Sequence, residues 1–269
     1  KGDHAVLVYA NHQSRDDQES ADDDNIAPSR FDKTLYGLNY QHQLSTGQIG
    51  FGVHVTDTKD AGTPALPMDV DYIKSDRFEL TGDHDWLNHQ VKWSIGYIDA
   101  QHGMDNYALR HNMNTDMYRY NTANATNTNL KLHASKTYYF GRLTYGIDGY
   151  WSEHDSTVTS PNNAMFNILN FNQIEDNRYG IFAEYDKAYD KGNWSLGIRI
   201  KQHEQNAGDV NHHMAMMNDN IKMLRNNFNQ ADKKDNKSLH DIAFNWQHEL
   251  NEELQVSLGL GQKQRAASY

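Results

Sequence analysis

Residues 48–57 read Gln48-Ile49-Gly50-Phe51-Gly52-Val53-His54-Val55-Thr56-Asp57. From Ile49 to Val55 every second residue is apolar, and the residues between are small or polar. A chain with a period of two is a strand whose two faces meet different surroundings. Just upstream, Tyr36, Leu38 and Tyr40 alternate with Gly37, Asn39 and Gln41. Leu44-Ser45-Thr46-Gly47 joins the two runs and has the composition of a hairpin turn.

The unit recurs along the chain. Phe78 and Leu80 lead through a turn near Asp85–Asn88 to Val91, Trp93, Ile95 and Tyr97. Leu130, Leu132 and Ala134 are answered by Leu143, Tyr145, Ile147, Gly149 and Trp151. Tyr179, Ile181, Ala183 and Tyr185 are answered by Trp194, Leu196, Ile198 and Ile200. Ile242, Phe244 and Trp246 are followed, across Asn251-Glu252-Glu253, by Leu254, Val256, Leu258 and Leu260. With the opening run, Val6 and Val8 to Ala10, this gives about eleven strands of roughly ten residues, the length that crosses a bilayer at a tilt.

The expected connections alternate between short turns and long loops, the latter near 14–32, 58–73, 100–125, 152–175 and 202–238. All four prolines (Pro28, Pro64, Pro67, Pro161) fall in the long ones, where they break no strand ladder. Short turns at one end and long loops at the other is the plan of an outer-membrane β-barrel. The mean hydropathy of −0.90 fits such a wall, because only one face is apolar. The 16 Tyr, 9 Phe and 5 Trp speak against disorder. A soluble β-sandwich also alternates, but its polar face need not carry charges such as Arg77, Glu79, Asp83, Lys92 and Arg199, which suit a wet lumen. Aromatics near strand ends (Tyr36, Tyr40, Trp93, Tyr97, Trp151, Tyr185, Trp194) suit interfacial girdles.

The expected fold is therefore all-β: an antiparallel up-and-down transmembrane β-barrel, incomplete, with residues 1–269 as one partial barrel domain. An odd count near eleven does not close an antiparallel barrel, and with the abrupt ends at Lys1 and Tyr269 it reads as a piece of a larger one. The net charge of −11 and the lack of a basic stripe exclude nucleic acid as a natural partner. Cysteine is absent, which excludes disulfides and thiolate ligands within this segment. No Ser/His/Asp set, phosphate loop or paired carboxylate has a context that marks an enzyme. The acidic run Asp16, Asp17, Glu19, Asp22, Asp23 and Asp24 reads as a solvated loop, although its field would also attract cations.

Methionine carries the chemical signal. All nine (Met68, Met104, Met113, Met117, Met165, Met214, Met216, Met217, Met223) are expected in long loops, with His102, His111, His154, His203, His212 and His213 as company. Thioether and imidazole suit a soft or borderline ion, above all Cu(I). Two clusters concentrate these donors. In one, His111 and Met113 share a face of an extended segment, with Met104 before and Met117 after. The other is His212-His213-Met214-Ala215-Met216-Met217. Loop hydrophobes packing on one another would produce the same composition.

The segment Thr63-Pro64-Ala65-Leu66-Pro67-Met68-Asp69, the His111-Asn112-Met113 loop and the terminal Gly261-Gln262-Lys263-Gln264-Arg265-Ala266-Ala267-Ser268-Tyr269 together resemble the TonB-dependent copper receptors. The resemblance implies a barrel of ~22 strands in the bacterial outer membrane, with a plug in its lumen. It implies contact with the TonB complex through that plug, and copper as the transported ligand. It also implies copper held by a Cys and a Met of the plug and a His-x-Met pair of the barrel; here only His111 and Met113 match. The plug and the final strands lie outside this sequence. A TonB-dependent receptor for a siderophore or haem, or a passive porin or structural barrel, remains an alternative at this point.

Overall fold

The computed structural model describes residues 3–266. Among them, eleven long strands form one antiparallel sheet in strictly sequential order. They are β1 (His4–Arg15), β2 (Phe31–Leu44), β3 (Gly47–Ala61), β4 (Asp69–Trp86), β5 (His89–Asp105), β6 (Tyr120–Tyr138), β7 (Gly141–Thr159), β8 (Asn167–Tyr189), β9 (Gly192–Asn206), β10 (Asp235–Asn251) and β11 (Leu254–Lys263). The sheet is not closed: β1 and β11 are its two edges. Short ladders at 18–19/25–26 and 211–212 decorate the loops. One helix, α1 (Asp219–Gln230), lies between β9 and β10. Among the described residues, no helix is long and apolar enough to cross a membrane.

The register sorts the side chains. Cross-strand partners share a face, so a row can be followed from strand to strand. Trp93 pairs with Leu132, Leu132 with Ile147, Ile147 with Ile181, and Ile181 with Ile200. A neighbouring row on the same face runs Phe51, Leu80, Ile95, Leu130. Trp93 lies flat over Gly82, its partner on β4, where a Cβ would fall 2.3 Å from the indole. Two positions beyond Phe78 and Tyr97 the same face turns charged, in the row Val55, Asp76, Asp99, Thr126, Glu153, Glu175. The apolar belt therefore ends abruptly toward the long connections.

The opposite face is polar. Lys92 pairs with Asp83 at 3.2 Å and Lys201 with Asp241 at 2.7 Å. His203 meets Asp176 at 2.9 Å, and Arg199 bonds Asp148.

No residue of the apolar face named above is buried; Ile95 is 42% and Ile147 45% exposed. The buried apolar residues are Val70, Phe166, Ala207 and Ala215, all at the end carrying the long connections. A sandwich would bury the belt. This sheet leaves it uncovered by any second layer, as suits a barrel wall.

The expected loops are corrected in length. The long connections span only 16–30, 62–68, 106–119, 160–166 and 207–234, and the strands reach 23 residues. Above the belt neither face is apolar, as in Asn121–Asn129 of β6, so the alternation stops while the hydrogen-bonded ladder continues. As a result Met104, expected in a loop, lies in β5, and His102, His154 and His203 also lie in strands.

The two faces differ in their tolerance of charge. Ile147→Arg is expected to cost about 2–4 kcal/mol of folding stability in a bilayer. Thr81→Arg, on the polar face, is expected to change it little. Urea titration of folding into lipid vesicles, followed by tryptophan fluorescence, measures both.

Candidate functional site

The five long connections meet at one end of the sheet and hold one another in place. Loop 16–30 is shaped by Asp17, whose Oδ1 accepts the backbone N–H groups of Ser29 (2.6 Å) and Arg30 (2.8 Å). These bonds, that from Ser29 foremost, lower the Asp17 pKa. In the same acidic run, the Ser20 hydroxyl accepts from the N–H groups of Asp22 and Asp24. At least part of the run thus shapes its own loop. Gly62 donates its N–H to Arg30 O at 2.8 Å. A Cβ there would lie 2.3 Å from the Pro28 carbonyl, so only glycine admits this approach of loop 16–30 to loop 62–68.

Loop 62–68 wraps around Asp69, the first residue of β4, which is 1% exposed. Its carboxylate accepts from Thr63 N at 2.8 Å and from Arg110 Nε and Nη2 at 2.6 and 2.7 Å. Arg110 also donates to Leu66 O and Thr63 O. The Thr63–Asp69 motif is therefore a socket for a guanidinium from loop 106–119. The Asp69 hydrogen bond raises the Arg110 pKa, and losing either partner would loosen the loops locally by leaving the other charge unpaired.

Loop 106–119 is further ordered from within. Asp105 accepts from the N–H groups of Tyr107 and Ala108. The Tyr107 and Tyr118 rings stack with centroids 4.6 Å apart, and the Tyr118 hydroxyl donates to Asn112 O at 3.2 Å. Burial, then the charges of Asp105 and Asp71, raises the Tyr107 pKa. His111 and Met113 flank the tethered Asn112 and face solvent, Met113 being 84% exposed. Met117 is an exposed member of the 3₁₀ turn Thr115–Met117.

Met104 is half-buried on β5, two residues beyond His102. The chain thus holds three His-x-Met pairs, at 102/104, 111/113 and 212/214, and the first of them lies within a strand where residues near 100 read as loop.

The second donor cluster is built differently. Asn162 Nδ2 donates to Thr115 O at 2.8 Å, joining loops 106–119 and 160–166. Phe166 is gripped on one side by the Arg119 guanidinium, 3.8 Å from its centroid, and by the His213 ring at 4.0 Å. His212 stacks on His213 and accepts from Met214 N through Nδ1. His213 Nδ1 is buried without a hydrogen-bond partner. Burial first, then the cationic environment of His212 and Arg119, lowers the His213 pKa. Met214 is half-buried, while Met216 and Met217 are exposed. Here the two histidines serve packing, and the thioethers are left outside it. Among the described residues, no three or more His, Cys, Asp or Glu side chains come together as a metal site.

Comparison with known proteins adds the lineage. A family model described as TonB dependent receptor-like, beta-barrel, matches residues 19–269. The fold matches a solved structure, the copper transporter OprC, with a TM-score of 0.81 at 18% identity, over 99% of this chain and 41% of that one. The chain thus spans about two fifths of that protein, and at this identity the likeness is one of fold. The curated proteins contain no match. Of the terminal motif that carries part of the resemblance, Ala267, Ser268 and Tyr269 lie outside the described residues.

The lowered pKa of His213 makes its packing pH-dependent. With the folded value below the unfolded value of about 6.5, the unfolded loop binds the proton more readily. The stabilisation is complete above about pH 6.5 and is lost as pH falls through the folded value. Hydrogen exchange of residues 211–217, corrected for intrinsic rates, should show protection falling on acidification, and His213→Phe should abolish that dependence.

Proposed function

This chain belongs to the TonB dependent receptor-like β-barrel family, and we propose that it forms part of the wall of an outer-membrane transporter whose cargo is copper. The family is one of receptors and transporters, not of enzymes. In this reading the apolar belt lies in the outer membrane and the loop end faces outward. A plug within the lumen, moved by the TonB complex, admits the ion to the periplasm.

One observation carries the cargo assignment. Of nine methionines, eight lie outside the long strands, and the ninth, Met104, is one residue from the loop end of β5. Methionine ordinarily fills apolar interiors, yet the belt contains none. Thioethers gathered where cargo enters, with imidazoles nearby, suit a soft ion better than the oxygen ligands that calcium or magnesium would require. His111 and Met113 are the proposed barrel ligands, because both stand clear of packing on a segment whose backbone is fixed. Met104, Met117 and the His212, His213, Met214, Met216 and Met217 cluster are secondary candidates. That OprC, which shares this fold, is a copper transporter is in accord with this choice.

Copper(I) titration of the full-length protein tests the assignment. His111→Ala and Met113→Ala are each expected to weaken binding by roughly tenfold or more, a factor of ten being about 1.4 kcal/mol. Unchanged affinity in both would remove the pair from the site and pass the role to the secondary candidates. Absence of copper binding by the unaltered protein would favour a different cargo, such as a siderophore or haem.

A further inference from the structure

We propose that Asp69 is a positioning residue for the cargo loop: its carboxylate, sealed beneath the loops, fixes the conformation in which His111 and Met113 are presented. This rests on the reading of that pair as cargo ligands, but the clamp itself stands on geometry alone.

The carboxylate is almost wholly excluded from solvent. A charge in that position requires strong partners, and it has them in the fork of Arg110 and the N–H of Thr63. Arg110 spends its remaining donors on two carbonyls of the same socket, Leu66 O and Thr63 O. Few rotations remain open to a guanidinium held by four hydrogen bonds to three groups, so the backbone of residue 110 is held as well. His111 follows directly. On its other side the Tyr118 hydroxyl ties Asn112 O, and Asn112 Oδ1 accepts from Asn114 N at 3.1 Å. The two proposed ligands are thus the free side chains of a segment anchored just before and between them. Such an arrangement lowers the entropy lost when an ion is captured, because the loop is ordered beforehand. It resembles the outer partners of metal ligands, which act on affinity without touching the metal.

The clamp also joins three loops. Asp69 begins β4, the socket is loop 62–68, and loop 16–30 abuts it at Gly62. A displacement of loop 106–119 therefore cannot occur without breaking the ion pair or carrying the socket along. Lysine in place of Arg110 would keep the charge but lose the planar fork.

The test compares Asp69→Asn, Arg110→Lys and, as a control on a second ion pair of the polar face, Asp241→Asn in the full-length protein in detergent. Three measurements are made: hydrogen exchange of residues 106–119, copper(I) affinity, and thermal unfolding of the barrel. The expected result for both clamp variants is faster exchange confined to residues 62–69 and 106–119. Copper(I) affinity should fall about 10- to 100-fold, the usual effect of losing an outer partner, with barrel unfolding unchanged. Asp241→Asn should alter neither the exchange of that loop nor affinity. Unaltered exchange in the clamp variants would overturn the proposal, as would faster exchange with undiminished affinity where His111→Ala does weaken binding. If His111→Ala and Met113→Ala leave affinity intact, the cargo reading of this pair fails, and with it the positioning role, while the exchange data separately report whether the clamp exists.

Discussion

In hydrocarbon there is no water to accept a backbone hydrogen bond, and every N–H and C=O must find its partner in the protein. A strand answers this only with a neighbour on each side. That requirement explains ladders whose register shifts fall near strand ends, at Val70/Tyr72, Leu169–Ile174 and Glu249/Asn251, and the sequential order. It also permits a fold with almost no interior. The usual economy of a soluble domain, apolar groups packed in an interior, is replaced by an apolar face that no second layer covers. Ile49, Phe51, Ile95 and Ile147 are therefore partly exposed on a well-formed sheet, and no second layer packs on them.

The same constraint shifts packing to the loop end. Val70, Phe166, Ala207 and Ala215 are buried there, with Asp69, Asp105 and Ser160 as buried polar neighbours. Order in this region comes from specific polar bonds and ring contacts in place of a large apolar core. The socket around Asp69 and the Arg119–Phe166–His213 cluster join parts distant in sequence, while the Tyr107–Tyr118 stack closes loop 106–119 on itself. The proposed ligands His111 and Met113 lie where two such contacts flank a short free segment.

The architecture was legible because lipid imposes a period of two. Gln48–Asp57 carries it without interruption, and the short turns at 45–46, 87–88 and 252–253 fall where the alternation breaks. Beyond the belt the period disappears. Asn121, Thr122 and Asn124 look like loop, yet they pair with Met104, Gly103 and Gln101. Met104, His102 and His154 were misplaced for that reason. The Thr63–Asp69 motif stood out as a resemblance, but its purpose was hidden. Its partner Arg110 lies 41 residues downstream, and no local pattern announces a contact at that distance. His213 likewise read as a donor, because neither Phe166 nor Arg119 is near it in sequence.

The central claim is that one face of this sheet meets lipid and the other meets water. Residues 1–269 contain no cysteine, so single cysteines can be introduced one at a time along 48–57 of the full-length protein, with any cysteine outside this segment replaced, and spin-labelled in lipid vesicles. Collision with oxygen, which partitions into lipid, should dominate at Ile49, Phe51 and Val53. Collision with a water-soluble nickel chelate should dominate at Gly50, Gly52 and His54. An alternation of period two, in that phase, is the predicted result. The opposite phase, or equal accessibility along the whole segment, would contradict the account.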